Sequence, residues 1–383
     1  MASRLRLARV LTSGFLALVL PILLTSLVQA QAPQPVLPSV HPEDPVHTLH
    51  VYMDLIQVPV LVLDSEMERM KPLDASRFLI SLDSGPVFHP RNVRPEGDDP
   101  ISLSILLDAQ AEPILMPKIS AAIGSLAPEY LHPGDRVKVY VLDCALTRTV
   151  LNVPANPELL KDAVDRTLAN WTQRRQARHA PACPRKIQLW DAMGYLIKEL
   201  SDVPGRRVML VVTDGADHGS LNKWNDVRLF AQQNGVAIFG FSTPGIGNAS
   251  SRIGTVSSSV RPSRSSGFIP TVGSANSSED PFNAICQLSG GMVMAADDRY
   301  LARDLQRFAT LVRERYIVEF VRARNDTPGQ HSILVTIDKS PNAYVRPTGV
   351  IITMRDPAVE ADPNTIPRDD TNAPELGKRK PIR

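Results

Sequence analysis

The chain has little of what the common catalytic and metal-binding designs require. Its 383 residues include three cysteines, Cys144, Cys183 and Cys286, which excludes a disulfide-dense scaffold and the four-cysteine zinc cages. No HExxH pair, GxSxG elbow or GxxxxGK[ST] loop occurs. Gly245-Ile246-Gly247 lacks the third glycine of a dinucleotide fingerprint. The eight histidines are scattered; His218, beside Asp217, is the one near a candidate site. A large excess of charge is missing too. The 42 basic and 40 acidic residues leave a net charge of +2, without the basic excess of a general nucleic-acid binder. Beyond residue 30 no apolar run is long enough to span a bilayer.

What is present begins with an address. Arg4, Arg6 and Arg9 form a basic start, Val10 to Val28 is almost uninterruptedly apolar, and Val28-Gln29-Ala30 supplies the small residues of a cleavage site. Residues 1–30 read as a secretory signal peptide, with Pro21 and the small-residue exit favouring cleavage over a retained anchor. The remaining chain has 39 basic and 40 acidic residues. The expectation is a secreted or periplasmic protein of the cell envelope.

Proline is abundant, with 33 residues, and it concentrates in stretches that do not read as folded. Residues 31–47 form a Pro-rich linker. Residues 248–280 form a Ser-rich insertion without periodicity, and 356–383 a disordered tail of mixed charge. Between them, 43% hydrophobic residues are enough for a sizeable core.

The body alternates strand and helix patterns. Apolar strands run over Ile101–Leu107, Val137–Leu142, Arg207–Thr213, Val236–Phe241 and Met292–Met294. Helical spacing follows each: Leu115–Leu126, Leu160–Leu168 with Leu189–Leu200, Trp224–Ala231, Phe282–Leu288 and Leu301–Val312. This predicts an α/β domain over 100–315, a doubly wound, mostly parallel sheet with helices on both faces. The flanks read as strands: Leu49–Leu63 with a break near Pro59, then Phe78–Leu82, Tyr316–Val321, Ser332–Ile337 and Val350–Met354. N-terminal strands in 48–99 and C-terminal strands in 316–355 together predict a small β-sandwich.

In such sheets ligands bind outside the carboxyl ends of the strands. Those ends carry Asp108-Ala109-Gln110-Ala111-Glu112 and Thr213-Asp214-Gly215-Ala216-Asp217. Carboxylates placed there suit a hard divalent cation.

The strand order, Asp108, the helix opening Leu189-Trp190-Asp191-Ala192 and Val211-Val212-Thr213-Asp214-Gly215 resemble a von Willebrand factor type A (VWFA) domain. VPVLVLD at 58–64 and LVRERYIVEF at 311–320 narrow the resemblance, over residues 50–354, to the acidobacterial-type VWFA-related family of exported proteins. That resemblance implies a metal-ion-dependent adhesion site (MIDAS) of two Asp, two Ser and one Thr. Asp108 and Asp214 match, while Gln110, Glu112 and Ile187 stand at the Ser, Ser and Thr positions. The MIDAS is therefore expected to be degenerate, with Asp108 and Asp214 serving as loop and helix-cap residues and no bound metal or cofactor. The alternative is a rearranged Mg²⁺, Mn²⁺ or Ca²⁺ site using Asp108, Glu112 and Asp214.

Three smaller features complete the reading. Cys286 lies in an apolar helical stretch as a core thiol. Cys144 and Cys183 are a candidate disulfide for an exported chain. Arg174, Arg175, Arg178, His179, Arg185 and Lys186 concentrate charge in one loop, read as solvated, with an anionic partner surface as its functional alternative.

The expectation for function is a non-enzymatic protein-binding or cell-adhesion module. It would engage a protein or envelope partner through a face formed by Asp108, Gln110, Glu112, Asp214 and Asp217. Metal-dependent adhesion and a structural envelope role are the alternatives. A metal-dependent hydrolase ranks last, because no nucleophile or base is arranged for one.

Overall fold

The computed structural model describes residues 55–148, 152–177, 183, 188–243, 280–323, 327–354, 357, 361 and 373–378. The signal peptide, the Pro-rich linker and almost all of the Ser-rich insertion lie outside the described residues.

Among the described residues three strands come first: β1 (Leu55–Leu63), β2 (Phe78–Leu82) and β3 (Asn92–Pro95). The α/β body then runs β4 (Ile101–Asp108), α1 (Met116–Gly124), β5 (Arg136–Leu142), β6 (Leu146–Arg148), β7 (Val153–Pro154) and α2 (Pro157–Gln176). It continues with α3 (Leu189–Ser201), β8 (Arg206–Val212), α4 (Trp224–Gln233), β9 (Val236–Ser242), α5 (Pro281–Leu288), β10 (Val293–Ala295) and α6 (Leu301–Arg313). Five strands close it: β11 (Tyr316–Val321), β12 (Gly329–His331), β13 (Ile333–Ile337), β14 (Tyr344–Pro347) and β15 (Val350–Ile352).

The body is mixed α/β. Its seven-stranded sheet has the order β10-β9-β8-β4-β5-β6, with β7 also on β5. Pairing is parallel from β10 to β5 and antiparallel at β6 and β7. The central strands are apolar on both sides because both faces are covered. On β8, Val208, Leu210 and Val212 point into one core with α1, α2 and α6, while Met209 and Val211 point into another with α3, α4 and α5. The helices start where the sequence supplies caps. Asn156 accepts from the N–H groups of Glu158 and Leu159 at 3.0 Å ahead of Pro157, and Asp280 accepts from Asn283 at 3.0 Å ahead of Pro281.

Strands from the two ends of the chain pair with each other. A four-stranded antiparallel sheet has the order β14-β1-β11-β3, and β2 pairs with β13. Alternation makes β1 serve two cores. Val58, Val60 and Val62 pack with β2, β11, β13 and β15, while Leu61 and Leu63 join the core of the α/β body.

Two readings of the sequence need correction. No break falls at Pro59, which lies inside β1. Its missing N–H is harmless because pairing with β14 begins only at Val60, and its carbonyl accepts from Thr348 N at 2.9 Å. Part of the expected disordered tail is placed on the body, since Gly377 N donates to Leu82 O at 3.1 Å. Glycine permits this approach: a Cβ on Gly377 would stand 2.1 Å from Asp83 O.

Candidate functional site

Asp108 ends β4 and is fully buried. One carboxylate oxygen accepts from the backbone of Gln110 at 3.3 Å and Ala111 at 3.1 Å, and the other from the Thr213 hydroxyl at 3.0 Å. The side chain thus shapes its own loop and staples β4 to β8. Burial pushes its pKa up to about 6; the Ala111 and Thr213 hydrogen bonds oppose this, and the charge on Asp214 adds to it.

Glu112 is also fully buried. It leaves the loop after β4 and accepts from Thr243 N at 2.8 Å, from Ser242 Oγ at 3.4 Å and from the Thr243 hydroxyl. Since β8 lies between β4 and β9, the side chain crosses the carboxyl end of β8. Burial raises its pKa, against the Thr243 hydrogen bonds and with the help of Asp214.

Asp214 is half-buried and accepts from Ala216 N at 2.8 Å. Gly215 follows at φ +81°, and a Cβ there would stand 2.9 Å from Phe282 Cβ, so this turn needs glycine. Asp217 organises the rest of the loop. It accepts from the Ser220 hydroxyl at 2.5 Å, Ser220 N at 3.2 Å and Trp190 N at 3.3 Å.

Gln110 turns the other way, toward β5. Its Nε2 donates to Asp143 Oδ1 at 3.3 Å and to Cys183 Sγ at 2.8 Å. Cys183 is joined to Cys144 in a disulfide with a Cα separation of 4.9 Å, inside the range a bridge needs. Arg174 pairs with Asp143 beside it. Cys286 is a buried free thiol, its pKa raised well above the usual value by burial.

The structure therefore brings Asp108, Glu112 and Asp214 to one place, while Gln110 bonds to Asp143 and Cys183 after β5 and Asp217 bonds to Ser220 and the start of α3. Ile187, Arg178, His179, Arg185 and Lys186 lie outside the described residues. Thr213, Ser242 and Thr243 are partners the sequence reading passed over. The signal was available, since each ends or follows an apolar parallel strand at the same edge as Asp108.

These residues do not fit the five-ligand MIDAS that the resemblance implies. Both oxygens of Asp108 and of Glu112 are engaged by the protein's own donors. Among the described residues, the only trio of Asp, Glu, His or Cys with ligand atoms all within 4.8 Å of one another is Asp143, Cys144 and Cys183. Two of those are consumed by the disulfide. Two small hollows lie elsewhere, one toward the amino ends of β4 and β5, lined by Ser104 and Lys138, the other under α6 beside the amino end of β4, lined by Ile101 and Phe308.

No family model and no curated protein matches the chain. Solved structures with similarity to it include a von Willebrand factor type A protein from Catenulispora acidiphila, at 11% identity and a TM-score of 0.38 over 79% of this chain and 63% of that one. Proximal thread matrix protein 1 from the mussel byssus is similar at 12% identity and a TM-score of 0.37, over 65% of this chain and 52% of that one. The conserved hypothetical protein BatB from Bacteroides thetaiotaomicron is similar at 15% identity and a TM-score of 0.31, over 55% of this chain and 99% of its own. This chain therefore spans between half and two-thirds of the length of the first two.

Proposed function

We propose that the protein is an exported, non-enzymatic binding module that engages a protein partner through the carboxyl edge of its parallel sheet, without a bound cation. The carrying observation is that this edge is filled. Asp108 is closed by Thr213 and Glu112 by Ser242 and Thr243, so the edge offers an outer surface instead of a reaction chamber. Exposed apolar side chains rim it: Ile114 after β4, Leu221 after β8 and Tyr300 after β10. The Cys144–Cys183 bridge supports export, because disulfides persist in oxidising compartments. We read the lobe built from both ends of the chain as a small β-sandwich that carries the binding domain.

Calorimetric titration with Mg²⁺, Mn²⁺ and Ca²⁺ tests the metal-free reading. The expected result is no saturable heat. Micromolar binding that disappears in Asp108→Ala would replace it with the cation-dependent form of the same module.

A further inference from the structure

Leu221 is 91% exposed, the most exposed of the large apolar residues described. A single exposed leucine on a surface is ordinary. What distinguishes this one is how firmly its backbone is held. Asp191, in the first turn of α3, accepts from Leu221 N at 2.9 Å with one carboxylate oxygen, and from Asn222 N at 2.9 Å and Asn222 Nδ2 at 2.7 Å with the other. Ser220 Oγ, itself donating to Asp217 at 2.5 Å, accepts from Asp191 N at 3.1 Å. Two carboxylates thus brace the residues on both sides of an apolar side chain that touches almost nothing. The conformational entropy of ordering this loop is lost on folding, so an encounter at Leu221 does not incur that cost again.

Charge defines what would meet it. Segment 214–226 carries Asp214, Asp217 and Asp226 against the single Lys223, and Asp191 lies beneath. We propose that Leu221 is the apolar anchor of the binding edge and inserts into a socket on a partner protein rimmed by Lys or Arg. The inference rests on the reading of this edge as a binding face and adds the contact point and the partner's chemistry.

The test places a photoreactive amino acid at position 221, at 114 on the same edge, or at Val87, which is 63% exposed on the β lobe. Each full-length variant is irradiated in the cells that make the protein. The expected result is one partner captured from 221 and 114 but not from 87, with the cross-linked peptide containing aliphatic or aromatic residues flanked by Lys or Arg. Leu221→Asp, with an unchanged melting temperature, should reduce capture from 114 by at least about tenfold, while Leu221→Met retains it. Capture from 114 that is indifferent to Leu221→Asp, or a cross-linked peptide that is acidic and polar, overturns the anchor but leaves the face. No capture from 114 or 221 above that from 87 overturns both.

Discussion

Glu112 and Thr243, 131 residues apart, are joined across the end of β8 by two hydrogen bonds, one to the backbone N–H and one to the hydroxyl of Thr243. The carboxylate spans the crevice between neighbouring strand ends in which open α/β sheets hold their ligands. Glu112→Ala should cost about 1–3 kcal/mol in urea unfolding, because the partly buried N–H and hydroxyl of Thr243 lose their acceptor. Glu112→Gln keeps an acceptor of the same length and should stay within about 1 kcal/mol of the parent.

Asp108 makes stability depend on pH in an unusual direction. Its folded pKa of about 6 lies above the ordinary aspartate value of 3.8, so between those values the folded state holds the proton more tightly than the unfolded chain. The contribution is fully present below the lower value and is lost as pH rises through the upper one. Stability should fall between about pH 4 and 6 by on the order of 3 kcal/mol from this group. Asp108→Asn should flatten that slope in denaturant titrations across the range. An unchanged slope would remove Asp108 as its source.

The Cys144–Cys183 bridge closes a loop with a sequence separation of 39. By chain entropy, opening a loop of this size costs about 3–4 kcal/mol. Cys144→Ser should lower the unfolding free energy by roughly that amount under non-reducing conditions. It should also release Gln110, whose Nε2 rests on Cys183 Sγ, which increased amide exchange in residues 109–112 would report. Thiol titration of the native parent should find no reactive sulfur, since Cys286 is buried.

Arg315 and Glu96 form a fully buried ion pair between the end of β3 and the start of β11, with hydrogen bonds of 2.7 and 2.8 Å. Arg315→Met leaves Glu96 charged and buried, at a cost of about 3–5 kcal/mol. The double variant Glu96→Leu/Arg315→Met should recover most of the loss, because a well-packed apolar pair avoids desolvating two charges. Thermal unfolding of the two variants side by side measures the coupling.

The central strands were legible because burial on both faces favours a mostly apolar run. Ile101–Leu107 and Val236–Phe241 could be read directly, and both lie inside the observed strands. The helices were legible because one face must repeat every three or four residues, as Leu301, Leu305, Phe308 and Val312 do in α6. Short edge elements were not. In β6 the residues Leu146–Arg148 are partly or fully exposed, and what makes them a strand is the backbone of β5. Pro59 misled for a related reason, since its effect depends on whether a neighbour needs its N–H.

At the candidate site, sequence alone determined residue types and their order: Asp108 and Asp214 at strand ends, Gln110 and Glu112 two and four residues beyond Asp108, and three cysteines too few for a scaffold. Their partners were decided only by the tertiary structure. Thr213 closes on Asp108 across 105 residues, Thr243 on Glu112 across 131, and Cys183 on Cys144 across 39. The physical reason is that a strand's pattern records whether its faces are buried, while a hydrogen bond or disulfide requires two groups within a few ångströms. That proximity is set by strand order in the sheet, which the spacing of residues along the chain does not encode.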